Sequence, residues 1–201
     1  MRSSSTVASI QRRWPKMGAM TQLSDERMVG DGRLAILLAD ITAIPADAIG
    51  NAANRSLTGG GGVDGAIHAA GGPAIMAELR SRFPGGTPTG TAVETTAGAL
   101  PARWVIHAVG PVWGGGGGGE AELLASAYRS TVRLADRLGA ASLTLPAISA
   151  GIYGYPLAEA ARIAIETTRA ELLDAAVLRE INFVLRETTL PPFRTALASV
   201  R

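Results

Sequence analysis

The chain has 201 residues, nineteen basic and seventeen acidic side chains for a formal charge of +2, 47% hydrophobic and 18% charged residues, and no cysteine. That length suits one domain with a sizeable core. The missing thiols exclude disulfides, thiolate metal centres and a cysteine nucleophile, and no apolar run nears the ~18 residues of a membrane span.

Residues 1–30 hold five of the basic and two of the acidic groups, so the remainder carries fourteen basic and fifteen acidic residues, a net of −1, without the basic stripe of a nucleic-acid binder. The only lysine is Lys16, which leaves the body without one for a P-loop or a Schiff base. The opening "MRSSSTVASIQRRWPKMGAM" has no signal-peptide core; its Arg- and Ser-rich make-up echoes a transit peptide, but the plainer reading is an N-terminal extension or an early start codon. Residues 1–30 are therefore read as an extension and 31–201 as the folded body.

In chain order, "RLAILLADI" (33–41) reads as a buried strand ending in an acid, and "ADAIGNAAN" (46–54) as a second strand running into a polar loop. Residues 63–83 read as a helix in two pieces, interrupted at Gly71, Gly72 and Pro73. "TAVETTAG" (91–98) alternates like a half-exposed strand, and "RWVIHAVG" (103–110), more apolar, reads as a central one. The hexaglycine run 114–119 reads as a flexible connector without chemistry. A helix over 120–139 follows, with Gly139 as C-cap. Then come a strand (142–149), a Gly-rich loop (150–154), a helix behind Pro156 (156–173), a strand (180–186) and a short helix after Pro191 and Pro192. Alternating strands and helices predict an α/β fold, with helices on both faces of a largely parallel, mixed sheet.

Ligands of such folds sit beyond the carboxyl ends of the strands. Two glycine loops occupy strand-to-helix junctions, Gly59–Gly62 and Gly151–Gly154. Glycine lets the backbone approach a ligand, and N–H groups at helix starts favour anions; two such loops face to face would grip a diphosphate without lysine or metal. "GGGVDG" (60–65) also matches the G-x-G-x-x-G dinucleotide fingerprint, but Asp64 would then repel a pyrophosphate, and the acid expected ~20 residues on has no counterpart at a strand end. The two histidines, His68 and His107, have no metal-ligand spacing and read as structural hydrogen-bonders.

"NAAN" (51–54), "GGGGVDGAIH" (59–68) and "PAISAGIYGYP" (146–156) together resemble a macrodomain of the MacroD type, supported by "LADIT" (38–42) and "PTGTAVETTAGALPARWVIHAVGPVW" (88–113). The resemblance covers roughly residues 33–200. It implies a three-layer α/β/α fold with a cleft for ADP-ribose. It also implies hydrolysis of the bond between ADP-ribose and acidic side chains, with deacetylation of O-acetyl-ADP-ribose as a related activity. By the same resemblance, Asp40 accepts from the adenine amino group and Ile41 donates its backbone N–H to the ring. Asn51 and Asn54 are the motif amides, Asn54 on the distal ribose. Gly60, Gly61, Gly62 and Val63 form the first pyrophosphate loop, with Asp64 as the catalytic acid. Ser149, Ala150, Gly151, Ile152, Tyr153 and Gly154 form the second loop, with Tyr153 beside the distal ribose. Ala39, Gly50, Ala69 and Arg186 depart from the pattern. Arg186 stands where an aromatic would stack on the adenosine, and its guanidinium plane can stack there instead.

Two readings follow: a mono-ADP-ribosyl hydrolase with catalytic Asn54, Asp64 and Tyr153, or a binding module that reads ADP-ribose without cleaving it. A nicotinamide-dependent Rossmann enzyme ranks third. The expected setting is a cytoplasmic monomer with no cofactor and no metal, whose partners are ADP-ribose and ADP-ribosylated proteins, with no membrane and no direct nucleic-acid partner.

Overall fold

The computed structural model describes residues 21–200; the part of the extension read over residues 1–20 lies outside them. Strands β1 (Gln22–Val29), β2 (Gly32–Leu38), β3 (Ala48–Ala53), β4 (Ala92–Thr96), β5 (Trp104–Val109), β6 (Ser142–Leu145) and β7 (Glu180–Leu185) join one sheet. Between and after them run helices α1 (Gly62–Gly71), α2 (Pro73–Arg82), α3 (Glu120–Arg137), α4 (Leu157–Asp174) and α5 (Leu190–Ala198), and a single 3-10 turn, Ile41–Ala43. The strand order is β1-β2-β7-β6-β3-β5-β4. The five inner strands are mutually parallel, and β1 and β4 close the two edges antiparallel.

The helices divide between the faces. Helices α3, α4 and α5 cover one through Leu124, Tyr128, Ile163, Ile165 and Phe193, packed on Ile36, Ile106 and Phe183. Helices α1 and α2 cover the other through Ile67, Ile75 and Leu79, packed on Ile49, Val105 and Val109. Strand alternation explains the division: in β3, Ile49, Asn51 and Ala53 share the face toward α1, as Val105, His107 and Val109 do in β5. Each fully buried Ile or Leu contributes about 1.5–3 kcal/mol. The result is the expected three-layer α/β/α architecture.

Three details differ from the sequence reading. Residues 22–29, assigned to the extension, form the edge strand β1, paired from Gln22↔Leu38 to Val29↔Gly32. Its sequence, QLSDERMV, is too polar to announce a strand. A two-residue turn led by Gly30 (φ +57°) folds it back on β2, which supplies the pairing. Strand β5 lies one in from the β4 edge rather than at the centre. The hexaglycine run is not a loose connector: the Glu120 carboxylate, at the start of α3, accepts from the N–H groups of Gly114, Gly116 and Gly118 at 3.0, 3.2 and 2.7 Å.

Gly50, a departure from the family pattern, has a steric reason. A Cβ there would stand 2.7 Å from Leu145 Cδ2 and 3.2 Å from Thr144 O, so Leu145 occupies the space a branched residue would need.

Candidate active site

A groove of about 790 Å³ runs along the carboxyl ends of the five parallel strands. Strand order dictates its layout. Residues 39–41 follow β2, 184–189 end and follow β7, 146–153 follow β6, 52–64 end and follow β3, and Gly110 follows β5. Asp40 and Arg186 thus stand over the β2/β7 end, and Asn54 and Asp64 over β3.

The first glycine loop is shaped by Asn54, whose amide donates to Gly59 O (2.8 Å) while its oxygen accepts from Thr58 N (3.3 Å). Gly59 (φ +79°) and Gly62 (φ +64°) take the left-handed conformation that glycine alone adopts freely. Gly61 caps α1, so the backbone of Gly62, Val63 and Asp64 opens the first helical turn at the groove. The third glycine of the apparent dinucleotide fingerprint, Gly65, has a packing role: a Cβ there would lie 2.7 Å from Gly60 O. That, together with the strand order, removes the Rossmann reading.

The second loop descends from the other layer. Tyr128, wholly buried in α3, donates its hydroxyl to Pro146 O (3.2 Å) and accepts from Ile148 N (2.9 Å), pinning the end of β6. Burial pushes its phenol well above the ordinary value. Ser149 then turns into the left-handed region at φ +63°, rare for a residue with a side chain, and its buried Oγ has no partner. The loop closes through Gly154 N→Gly151 O (2.9 Å) and Tyr155 N→Ser149 O (3.0 Å). The two loops face each other across the groove, since a Cβ on Gly61 would come within 3.5 Å of Ile152 Cδ1. Ile152, 79% exposed, forms the lip.

Asp64 sits at the base of this junction, 4% exposed. Its Oδ1 accepts from Asn51 Nδ2 at 2.5 Å and lies 3.4 Å from His68 Nε2, one helical turn on. Its Oδ2 faces the first loop, 3.2 Å from where a Gly60 Cβ would be. Burial opposes the charged form, but His68 and the hydrogen bond from Asn51 outweigh it and hold the carboxyl below its ordinary value. Tyr153 feels the same neighbourhood: burial, and then the Asp64 charge, push its phenol up.

Of the residues read from sequence, Asp40, Ile41, Asn54, Gly60, Gly61, Gly62, Val63, Asp64, Ser149, Ala150, Gly151, Ile152, Tyr153 and Arg186 all line the groove. Two do not. Asn51 is fully buried beneath Asp64, because β3 alternation turns it to the α1 face. Gly154 (φ +67°) closes the turn behind the loop. Asp40 has one oxygen engaged, Oδ1 capping the 3-10 turn by accepting from Thr42 N and Oγ1 at 2.9 and 2.8 Å.

His107 is the structural hydrogen-bonder the sequence suggested, but its link to Asp64 through Asn51 was not legible there. His107, the register partner of Asn51 across β3 and β5, places Nδ1 3.1 Å from Asn51 Nδ2 and Nε2 2.9 Å from Thr95 Oγ1. Burial, with His68 nearby, pushes its pKa down to about 3. The donor atoms of Asp64, His68 and His107 lie within 4.8 Å of one another, a spacing a metal could bridge. Here the amide of Asn51, a hydrogen-bond donor, already engages both Asp64 and His107. Among the described residues, no helix is long and apolar enough to cross a membrane.

A family model described as Macro domain matches residues 50–164. A Macro domain-containing protein of Streptomyces nogalater is 54% identical over 159 residues, spanning 77% of this chain and 86% of its own. An O-acetyl-ADP-ribose deacetylase of Klebsiella pneumoniae is 50% identical over 167 residues, 82% of this chain and 95% of its own. Among solved structures, an Oceanobacillus iheyensis macrodomain with ADP superposes with a TM-score of 0.80 at 38% identity, over 89% of this chain and 95% of its own. A Trypanosoma brucei macrodomain in complex with ADP-ribose gives 0.75 at 37% identity, over 82% and 68%.

Proposed function

The chain belongs to the Macro domain family, and from that premise we propose that it is a hydrolase that binds ADP-ribose and releases it from acidic side chains of modified proteins. The observation that carries the reading is Asp64: a buried carboxylate, held ionised, where two opposed glycine loops meet. A pyrophosphate between the loops would meet the backbone N–H groups that open α1 and those of the Ser149 turn. The adenosine would extend toward Asp40 and Arg186, and the distal ribose toward Asn54 and Tyr153.

In the reaction, the bond between the anomeric carbon and the side-chain carboxylate breaks through an oxocarbenium-like state, and the carboxylate leaves with the bonding electron pair. Water adds at that carbon, and Asp64 orients it and takes its proton. The products are ADP-ribose and the free acidic side chain. Asn54 and Tyr153 act by positioning the sugar. The deacetylase name of the Klebsiella relative supports O-acetyl-ADP-ribose as a further substrate of the same site.

The test is a panel of ADP-ribosyl linkages offered to wild type and to Asp64→Ala, with calorimetry on ADP-ribose alongside. The expected outcome is release from the glutamate and aspartate linkages by wild type, none by Asp64→Ala, and retained binding in both. A wild-type protein that binds ADP-ribose but cleaves no linkage is a reader, and the hydrolytic reading is then wrong.

A further inference from the structure

We propose that His107 is a positioning residue for Asp64: fixed as its Nε2–H tautomer by Thr95, it sets the direction of the Asn51 amide that grips the carboxylate. The inference rests on the hydrolytic reading above and adds a buried control element beneath it.

Thr95 Oγ1 has one proton and gives it to Thr96 O at 3.0 Å. With that proton on Thr96 O, the same oxygen accepts from His107 Nε2 at 2.9 Å, the arrangement that matches an Asn51 NH₂ held toward Nδ1 by the Asp64 carboxylate. Nδ1 is left as a bare lone pair, 3.1 Å from Asn51 Nδ2. An acceptor there demands a donor, so the amide must turn its NH₂ toward His107, and its second hydrogen reaches Asp64 Oδ1 at 2.5 Å. With both hydrogens committed, Asn51 Oδ1 is left buried without a partner. An amide accepts that only when the opposite orientation is worse. Here the flipped amide would press its oxygen against both a carboxylate and an imidazole lone pair.

The tautomer of His107 is thus a control point. Were the proton on Nδ1, it would oppose the Asn51 N–H, and the amide could satisfy Asp64 or His107 but not both. Full burial in the sheet keeps His107 neutral, so its Nδ1 lone pair persists across the working pH range. The geometry is built by chain topology. Asn51 and His107 are cross-strand register partners, and Thr95 lies on the neighbouring edge strand β4. Three strands and helix α1 thereby converge on one carboxylate.

The chain has two histidines, so ¹⁵N-detected imidazole spectra of the full-length protein are readily assigned, with His107→Asn identifying the signals. In wild type, His107 should show an unprotonated Nδ1 and a protonated Nε2, unchanged between pH 5 and pH 8. His107→Leu, which removes the acceptor, should lower kcat for ADP-ribose release roughly tenfold to a hundredfold, the range expected when a reacting group is misplaced, with the ADP-ribose Kd unchanged. His107→Asn, whose Oδ1 falls where Nδ1 was, should recover part of that loss. Thr95→Val, a milder change that keeps the imidazole, should give mixed tautomers and an intermediate kcat. A protonated Nδ1 in wild type, or full turnover by a folded His107→Leu or by Thr95→Val with mixed tautomers, overturns the proposal. A wild type that cleaves nothing overturns the hydrolytic reading, and the positioning role with it; an active wild type beside an equally active His107→Leu overturns the positioning role alone.

Discussion

Asn51→Leu isolates what the buried amide does for Asp64. Leucine matches asparagine in size but offers no hydrogen, so the 2.5 Å bond to Asp64 Oδ1 is lost and His107 Nδ1 loses its donor. A hydrogen bond to a charged, buried group contributes about 1.5–3 kcal/mol. Losing it removes one of the contacts that lower the Asp64 pKa, so the pKa rises in the variant. The sign follows from the folded-state value, which lies below the ordinary 3.8. Asp64 therefore adds stability that is complete above 3.8 and is lost as pH falls through the lower folded value. In the variant that contribution shrinks, and the carboxyl protonates at higher pH. If hydrolysis needs ionised Asp64, the acid limb of kcat/KM should move to higher pH. A loss of rate that persists on the plateau above the acid limb reports misorientation rather than protonation. The assay is the pH profile of ADP-ribose release from a glutamate-linked mono-ADP-ribosyl peptide, with circular dichroism to confirm the fold. An acid limb that superimposes on wild type, in a folded variant, would refute the role given to Asn51.

Other perturbations probe the remaining supports. Asp40→Ala should weaken ADP-ribose binding by about 1.5–3 kcal/mol, read by calorimetry, and equal affinities would move the adenine subsite elsewhere. Tyr128→Phe strands Ile148 N–H in the core and should cost about 1–3 kcal/mol in denaturant melts; an unchanged midpoint would show that the hydroxyl bridge is dispensable. Gly110→Ala would put a Cβ within 2.5 Å of Ile148 Cγ2 and closer still to Ser149 Oγ. Such overpacking should cost about 1–3 kcal/mol and lower ADP-ribose affinity by displacing the second loop; wild-type affinity in the variant would mean that the loop yields at no cost.

Much of this architecture was legible because it is written locally. Apolar runs bounded by glycine and proline marked the inner strands, and helical spacing marked α3, where Leu124, Tyr128, Val132 and Ala135 fall on one buried face. The glycine loops announced themselves by composition and by their strand-to-helix setting. Features that depend on distant partners stayed hidden. Strand β1 draws its pairing from β2 rather than from its own hydrophobicity. Asn51 in "NAAN" gives no hint that it points into the core, because the acid and the imidazole that satisfy it lie 13 and 56 residues away. Thr95 reads as an ordinary strand residue until His107 is set beside it.

The hexaglycine tract has a consequence for how this chain can vary. Alternate amides, at 114, 116 and 118, converge on the two oxygens of Glu120, while Trp113 donates its own N–H to Tyr153 O at the rim. Adding or deleting one glycine would throw the amides out of phase with their carboxylate. Repetitive tracts readily gain and lose units, and a longer loop by itself costs little closure entropy. The number of glycines is therefore a calibrated spacing, and the segment behaves as a short stave between helix and rim rather than as slack rope.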